Sequence, residues 1–156
     1  MISKKVLLII IFFIFSSNNI FADDVKNSKI FGVIPKDKIE YGCGCSYSLE
    51  SNTSKEFQPI FQSELDYSYV IMFIKGKLVK LEPIKTHIFK SRPKLGDKFT
   101  LQFKYNDLFI VFNNTVTFVC PPDSEGGCEV TRFKAELTVN NGKIKEVYSV
   151  NGDCGC

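Results

Sequence analysis

The tripeptide Cys-Gly-Cys occurs twice, at Cys43–Cys45 and again at Cys154–Cys156, the last three residues of the sequence. Side chains two residues apart point to the same face of a β-strand, so each motif presents two sulfur atoms on one face. The glycine between them leaves the opposite face bare, which lets another backbone approach closely. The two motifs therefore predict a sheet whose first and last strands are joined through sulfur.

Three pairings of these four cysteines are open from the sequence. If the motifs lie on antiparallel neighbouring strands, Cys43 faces Cys156 and Cys45 faces Cys154, and both pairs can fall on closely spaced rungs that suit a disulfide. Parallel strands would instead pair Cys43 with Cys154 and Cys45 with Cys156. We favour the antiparallel pairing, although the sequence alone does not decide.

Residues 1–22 have the layout of a secretory signal peptide. Lys4 and Lys5 precede an apolar run of ten residues from Val6 to Phe15, and Ala22 offers a small residue at a cleavage site. A membrane-spanning helix needs roughly 20 apolar residues, so we expect cleavage rather than an uncleaved anchor, with no transmembrane segment afterwards. The mature protein is then extracytoplasmic, either periplasmic or secreted.

Removing residues 1–22 from 156 leaves 134 residues, which is enough for one domain with its own core. Residues 23–40 are polar and mixed in charge, and we expect them to form an N-terminal arm that is partly disordered or lies along the domain. Residues 41–156 form the predicted β domain.

All six cysteines follow the predicted cleavage site. An even number in an exported chain of this size predicts disulfides, because oxidising compartments hold thiols as bridges. Cys120 and Cys128 enclose a loop rich in proline and glycine, and we expect them to form a bridge of their own. The predicted disulfide residues are Cys43, Cys45, Cys120, Cys128, Cys154 and Cys156.

The alternative for the two Cys-Gly-Cys motifs is a metal site in which Cys43, Cys45, Cys154 and Cys156 hold Zn(II) or Cu(I) as thiolates. Structural zinc sites usually have Cys-x-x-Cys spacing, to which Cys-x-Cys is a weaker match. The spacing and the compartment both favour disulfides, so we expect no cofactor.

Short alternating segments between turn residues predict an all-β fold. Phe99, Leu101 and Phe103 alternate with polar residues, and the segment from Phe133 to Val139 has the same period of two. About eight such strands indicate a single antiparallel β-sandwich or small barrel, stapled by disulfides, and the sequence leaves the choice between them open.

Several local features follow from turn chemistry and side-chain period. We expect hairpins at Lys75-Gly76, Asn113-Asn114 and Asn141-Gly142, with Gly96-Asp97 leading into the strand of Phe99. We also expect a short helix within residues 56–66 and a β-bulge near Thr131 and Arg132.

The net charge of the mature chain indicates no partner. The predicted signal peptide removes two of the 20 basic residues, so 18 remain against 17 acidic ones and the net charge is +1. Residues 75–104 are nevertheless strongly basic, and they could bind an anionic surface such as lipopolysaccharide or phospholipid headgroups. We favour the alternative that these lysines are the solvent face of several strands and protect a sheet edge. The nine basic residues are Lys75, Lys77, Lys80, Lys85, Lys90, Arg92, Lys94, Lys98 and Lys104.

No residue pattern indicates an enzyme or a nucleic-acid-binding protein. His87 is the single histidine, and no nucleophile motif lies near it, so we expect a surface or packing role. The carboxylate pairs, Glu64 with Asp66 and Asp123 with Glu125, fall in polar loops. We therefore expect a non-enzymatic binding or structural module of the envelope or extracellular space, whose partner is an unknown protein or an anionic surface ligand, with the thiolate metal protein as the alternative.

Overall fold

The computed structural model describes residues 28, 30–52, 54, 56–87, 89, 91–121 and 128–156. The predicted signal peptide, residues 1–22, lies outside these residues. So do Asp123, Glu125 and Lys90. The signal peptide, its cleavage and the domain boundaries at residues 22 and 40 stay predictions.

Within the described residues, ten antiparallel strands form one sheet, which confirms the all-β expectation; about eight strands were expected. The strand order is β1-β4-β3-β2-β10-β9-β8-β7-β6, and β5 pairs with β4. The strands are β1 (Phe31–Gly32), β2 (Gly44–Leu49), β3 (Phe61–Ser63), β4 (Val70–Ile74), β5 (Lys77–Lys80), β6 (Glu82–Lys85), β7 (Lys98–Tyr105), β8 (Leu108–Val119), β9 (Thr131–Asn140) and β10 (Lys145–Gly155).

The sheet curls into a half-barrel around an aromatic core. Phe61 of β3 and Phe103 of β7 are five places apart in the strand order, yet their ring centroids are 5.3 Å apart. The inward residues of β7 are Phe99, Leu101 and Phe103, as their alternation predicts, and all three are buried.

The chain passes directly from one end of the strand order to the other between β5 and β6. Only Leu81 separates these two strands, although β5 pairs with β4 and β6 pairs with β7. The Leu81 side chain is buried, and its backbone N–H donates a hydrogen bond to the Val70 carbonyl at 2.8 Å. Leu81 therefore anchors the connection between β5 and β6 to the start of β4.

Two of the three predicted hairpins are confirmed. Lys75 and Gly76 both have positive φ and connect β4 to β5, as a two-residue turn of mirror-image type requires. At the β9–β10 connection the Asn141 N–H donates to the Ile144 carbonyl, so the tight turn is Gly142-Lys143, one residue later than expected.

The hairpin predicted at Asn113-Asn114 is wrong, because β8 continues through both residues. Neither asparagine has the positive φ that a tight hairpin turn needs. Asn113 accepts a hydrogen bond from Thr100 Oγ1 on the neighbouring strand at 3.1 Å, and the Asn114 side chain is hydrogen-bonded inside the core. Both polar side chains are thus satisfied within the sheet.

The helix predicted within residues 56–66 is also wrong, because this segment contains β3. The Ile60 N–H donates to the Tyr47 carbonyl of β2 at 2.8 Å, and β3 continues that pairing. The apolar side chains of Ile60 and Phe61 are both buried in this extended form. Tertiary pairing has overridden the helical spacing of the apolar residues.

The predicted bulge lies on the partner strand rather than on β9. The register between β8 and β9 shifts between Val116, opposite Phe133, and Phe118, opposite Arg132, so the extra residue is Thr117 of β8. The break in alternation near Arg132 therefore predicted the position of the bulge along the β8–β9 pair correctly, but the extra residue belongs to β8 and not to β9.

Part of the predicted arm, residues 23–40, lies along the domain. Ile30, Phe31 and Ile34 are buried, and β1 pairs with β4. The Ile34 N–H donates to the Pro59 carbonyl at 2.8 Å, and a 3-10 turn follows at Lys36–Lys38. The apolar side chains of this stretch therefore contribute to the core of the sheet.

Tyr47 on β2 sits at the centre of the core and is fully buried. Its ring contacts the Phe61 ring edge to face at 5.3 Å and the Phe112 ring at 4.6 Å. Its hydroxyl donates to Asn114 Oδ1 at 2.7 Å. The ring also covers Gly152, its cross-strand neighbour on β10, where a Cβ would overlap the ring atoms.

Candidate functional site: the disulfide end of the half-barrel

Both Cys-Gly-Cys motifs lie at one end of the half-barrel, which we call the disulfide end. The structure joins Cys43 to Cys156 and Cys45 to Cys154, the antiparallel pairing favoured from the sequence. The Cα atoms are 4.1 Å apart in the first pair and 4.0 Å in the second, as on the closely spaced rungs of an antiparallel pair. The two bridges therefore form a ladder across β2 and β10.

The ladder has a buried and an exposed rung. Cys45 is buried and Cys154 half-buried, so their bridge faces the interior, whereas Cys43 and Cys156 are exposed. The glycines face the other way, and a Cβ on Gly44 or Gly155 would collide with the backbone of a neighbouring segment. The close approach expected from the two glycines is thus present in the structure.

Cys120 and Cys128 form a third bridge, with their Cα atoms 5.6 Å apart. The Cys120 carbonyl accepts a hydrogen bond from the Arg92 guanidinium, and its Sγ accepts one from the Val130 N–H at 3.1 Å. This bridge holds the end of β8 close to the start of β9.

The interior of the half-barrel opens at the disulfide end into a cavity of about 210 Å³. We call this cavity the disulfide-end pocket. Leu65 lies at its wall with 47% of its surface exposed. Its other main walls are the inner disulfide and four aromatic side chains: Cys45, Cys154, Tyr67, His87, Phe89 and Phe133.

Tyr67 brings a hydroxyl group to the pocket, and 4% of the surface of this residue is exposed. Its hydroxyl oxygen lies 3.7 Å from Cys45 Sγ and 3.9 Å from Cys154 Sγ. A sulfur in a disulfide carries no hydrogen and is a weak acceptor, so the hydroxyl can only donate to it, and weakly. Burial raises the pKa of Tyr67 to about 12, so the hydroxyl keeps its proton at neutral pH.

His87 contacts the rings beside it. Its imidazole lies 4.6 Å from the Phe89 ring, edge to face, and 5.0 Å from the Phe99 ring in a stacked arrangement. Phe99 in turn packs edge to face on Phe133 at 5.1 Å. This aromatic row connects the pocket wall to the core and gives His87 the packing role expected from the sequence.

The carboxylates predicted to lie in loops are bound locally where the structure describes them. Glu64 accepts a hydrogen bond from the Ser68 hydroxyl at 2.7 Å, and Asp66 accepts one from the Ser68 N–H at 2.8 Å. The bond from the Ser68 backbone lowers the pKa of Asp66. Both side chains therefore stabilise the turn that contains Tyr67 and Ser68.

The four cysteines of the alternative metal site, Cys43, Cys45, Cys154 and Cys156, are all in disulfides and have no thiolate to offer. Within residues 28–156, leaving aside those not described, no group of three or more histidine, cysteine or acidic side chains could hold a metal ion.

The described lysines of residues 75–104 are exposed and spread over the turn between β4 and β5, β5, β6, the loop before β7, and β7. The Lys80 ammonium group lies 5.1 Å from the centroid of the Tyr69 ring. Binding of an anionic surface by these lysines stays a prediction.

Sequence reasoning found the sulfur wall of the pocket and missed most of its other walls. Phe133 had been placed inward by its alternation, but nothing local marks Leu65, Tyr67 or Phe89 as neighbours of the inner disulfide. Phe89 reaches the pocket from the segment between β6 and β7. Only the curling of the sheet brings these segments together.

No protein-family model, curated protein or solved structure matches the chain. Where the chain is described, it contains no helix with the length and apolar character needed to cross a bilayer.

Proposed function

We propose that this protein is a non-enzymatic binding module of the extracytoplasmic space that holds a small molecule in the disulfide-end pocket. The observation that carries the proposal is the pocket itself, a mostly apolar cavity at the open end of a curled sheet. Such cavities with a few convergent polar groups are the usual form of a small-molecule site. Three disulfides are consistent with an oxidising compartment outside the cytoplasm.

The proposal includes a closed barrel rather than a sandwich. The segment from Lys77 to Lys85 pairs with β4 in its first half and β7 in its second, so it connects both ends of the strand order. A closed sheet gives a ligand site walls that do not need to rearrange on binding.

The pocket is preorganised by covalent bonds. The inner bridge, Cys45–Cys154, lines the cavity and fixes β2 against β10. Side chains that are already held in place lose little conformational entropy when a ligand binds, which favours affinity. The disulfides then serve the binding site as well as the stability of the domain.

The experiment is a ligand-observed NMR screen of small apolar fragments against the mature, oxidised protein. Leu65→Trp replaces an aliphatic side chain at the wall of the pocket by a bulky indole ring, which fills the cavity and should abolish binding of the hits. The matched control is Leu78→Trp, since Leu78 is also a partly exposed leucine but lies on β5 away from the pocket. Hits that survive Leu65→Trp, or a screen without hits, would contradict the proposal.

A further inference from the structure

We infer that the disulfide-end pocket takes a molecule with a single apolar ring and one oxygen atom, which accepts a hydrogen bond from the Tyr67 hydroxyl. This inference rests on the proposed function and adds the chemical class of the ligand. Three observations carry it: the size of the cavity, its aromatic walls and the weak partners of the Tyr67 hydroxyl.

The size of the cavity suits a ligand of about one ring. An apolar cavity of about 150 Å³ holds benzene, and the disulfide-end pocket has about 210 Å³. The difference leaves room for one or two further heavy atoms. A long acyl chain would extend out of the open mouth of the cavity.

The walls favour a ring over a chain of the same size. Tyr67, His87, Phe89 and Phe133 all line the pocket. Aromatic rings attract one another in edge-to-face and offset arrangements beyond the effect of the area they bury. His87 and Phe89 already pack in this way, edge to face at 4.6 Å, so an added ring would extend an existing pattern.

The Tyr67 hydroxyl supplies the polar contact. The Tyr67 residue is buried, and the hydrogen-bond partners of its hydroxyl among the described residues are the two disulfide sulfurs at 3.7 and 3.9 Å. Sulfur is a poor acceptor, and a buried donor without a good partner raises the free energy of the folded state. An oxygen atom of a ligand would replace this weak contact by an ordinary hydrogen bond of about 2.8 Å.

The test uses phenol and toluene, which have nearly the same shape and differ in one oxygen. Dissociation constants are measured by NMR chemical-shift titration of the mature, oxidised protein and of Tyr67→Phe. The variant should weaken phenol binding about fivefold, as expected for one neutral hydrogen bond, and leave toluene binding unchanged. Tyr69→Phe, which removes a hydroxyl outside the pocket, should change neither value.

Equal effects of Tyr67→Phe on phenol and toluene would overturn the inferred hydrogen bond. Failure of both probes to bind, while other fragments bind in a manner sensitive to Leu65→Trp, would overturn the ligand class and leave the proposed function standing. If no fragment binds at all, the proposed function itself fails. If the amide spectrum of Tyr67→Phe does not match that of the parent protein, the parent alone decides: phenol and toluene should shift the amide signals of Tyr67 and Cys45 differently, and identical shifts would overturn the hydrogen bond. Thr131 brings a second hydroxyl to the pocket, and Thr131→Val should leave the ratio of the phenol and toluene dissociation constants unchanged.

Discussion

The hydroxyl of Tyr47 and the amide oxygen of Asn114, 67 residues apart in the chain, form a hydrogen bond of 2.7 Å inside the aromatic core. The Asn114 Nδ2 group donates in turn to the Phe112 carbonyl at 3.1 Å. Tyr47 belongs to β2 and Asn114 to β8, which are separated by β10 and β9 in the sheet. The bond therefore spans the interior of the half-barrel.

Tyr47→Phe should destabilise the fold by about 1–3 kcal/mol, because it leaves the buried Asn114 oxygen without a donor. Urea unfolding at neutral pH measures the free energy of unfolding of the parent and the variant. Tyr69→Phe serves as the control, since Tyr69 is partly exposed and contacts Lys80 at the surface. A loss no larger than that of the control would show that the buried bond contributes nothing.

The two sets of disulfides should differ in their contribution to stability. Replacing all four cysteines of the ladder by alanine releases a loop closed over 113 residues, which corresponds to about 5 kcal/mol in the chain-entropy model. Replacing Cys120 and Cys128 releases a loop closed over only 8 residues, or about 2.5 kcal/mol. Urea unfolding of both variants tests the order.

Removal of the inner bridge alone should cost much less than removal of the ladder. While Cys43–Cys156 remains, Cys45 and Cys154 stay close together in the unfolded chain, and their bond restricts it little further. A loss of about 5 kcal/mol for Cys45→Ala with Cys154→Ala would show that the inner bridge acts mainly through packing in the folded state.

Gly152→Ala should destabilise the fold by about 2 kcal/mol, because the added methyl group would overlap the Tyr47 ring and overpack the core. Gly32→Ala is a matched control on another strand, where the Cβ would meet the Phe73 ring at 3.4 Å, an ordinary contact. Thermal unfolding of both variants makes the comparison. Similar melting temperatures would contradict the close packing of Tyr47 on Gly152.

Stability should fall in alkaline solution partly through Tyr67. Burial raises the pKa of Tyr67 to about 12, against about 10 in the unfolded chain. The folded state thus holds the proton more tightly, and the stability this contributes is fully present below about pH 10 and lost between about pH 10 and pH 12. The difference between these two pKa values corresponds to roughly 2–3 kcal/mol of stability.

Urea unfolding from about pH 9 to pH 12, with short incubation, tests this dependence. The free energy of unfolding should fall less steeply for Tyr67→Phe than for the parent, since other groups titrate alike in both proteins. Parallel curves would show that the Tyr67 hydroxyl has the same pKa in the folded and unfolded chains.

Local patterns predicted the strands whose two faces differ in polarity. The alternation of Phe99, Leu101 and Phe103 placed β7 correctly, and Lys75-Gly76 supplied the positive φ values of its turn. The Cys-Gly-Cys motifs predicted the pairing of β2 with β10. The cysteine spacing places both sulfur atoms of a motif on one face of its strand, and the glycine allows another backbone to approach the opposite face. In each case the physical cause lies within a few residues of the pattern.

The features that sequence reasoning missed depend on residues far apart in the chain. Asn113-Asn114 has turn chemistry, but its conformation is decided by Tyr47 and Thr100 on other strands. Ile60 and Phe61 lie at helical spacing with their neighbours, yet backbone bonds to β2 hold them extended. The pocket was not predicted either, because its walls meet only after the sheet has curled.

The sulfur ladder turns the segment between Cys45 and Cys154 into a covalent ring. A protease that cuts this ring once, at any peptide bond between the two cysteines, produces a nicked molecule rather than two separate fragments. Both pieces stay tethered beside their original partner strands, so the sheet can re-form around the cut. This architecture gives the protein a tolerance to a single cut that tight packing alone does not provide.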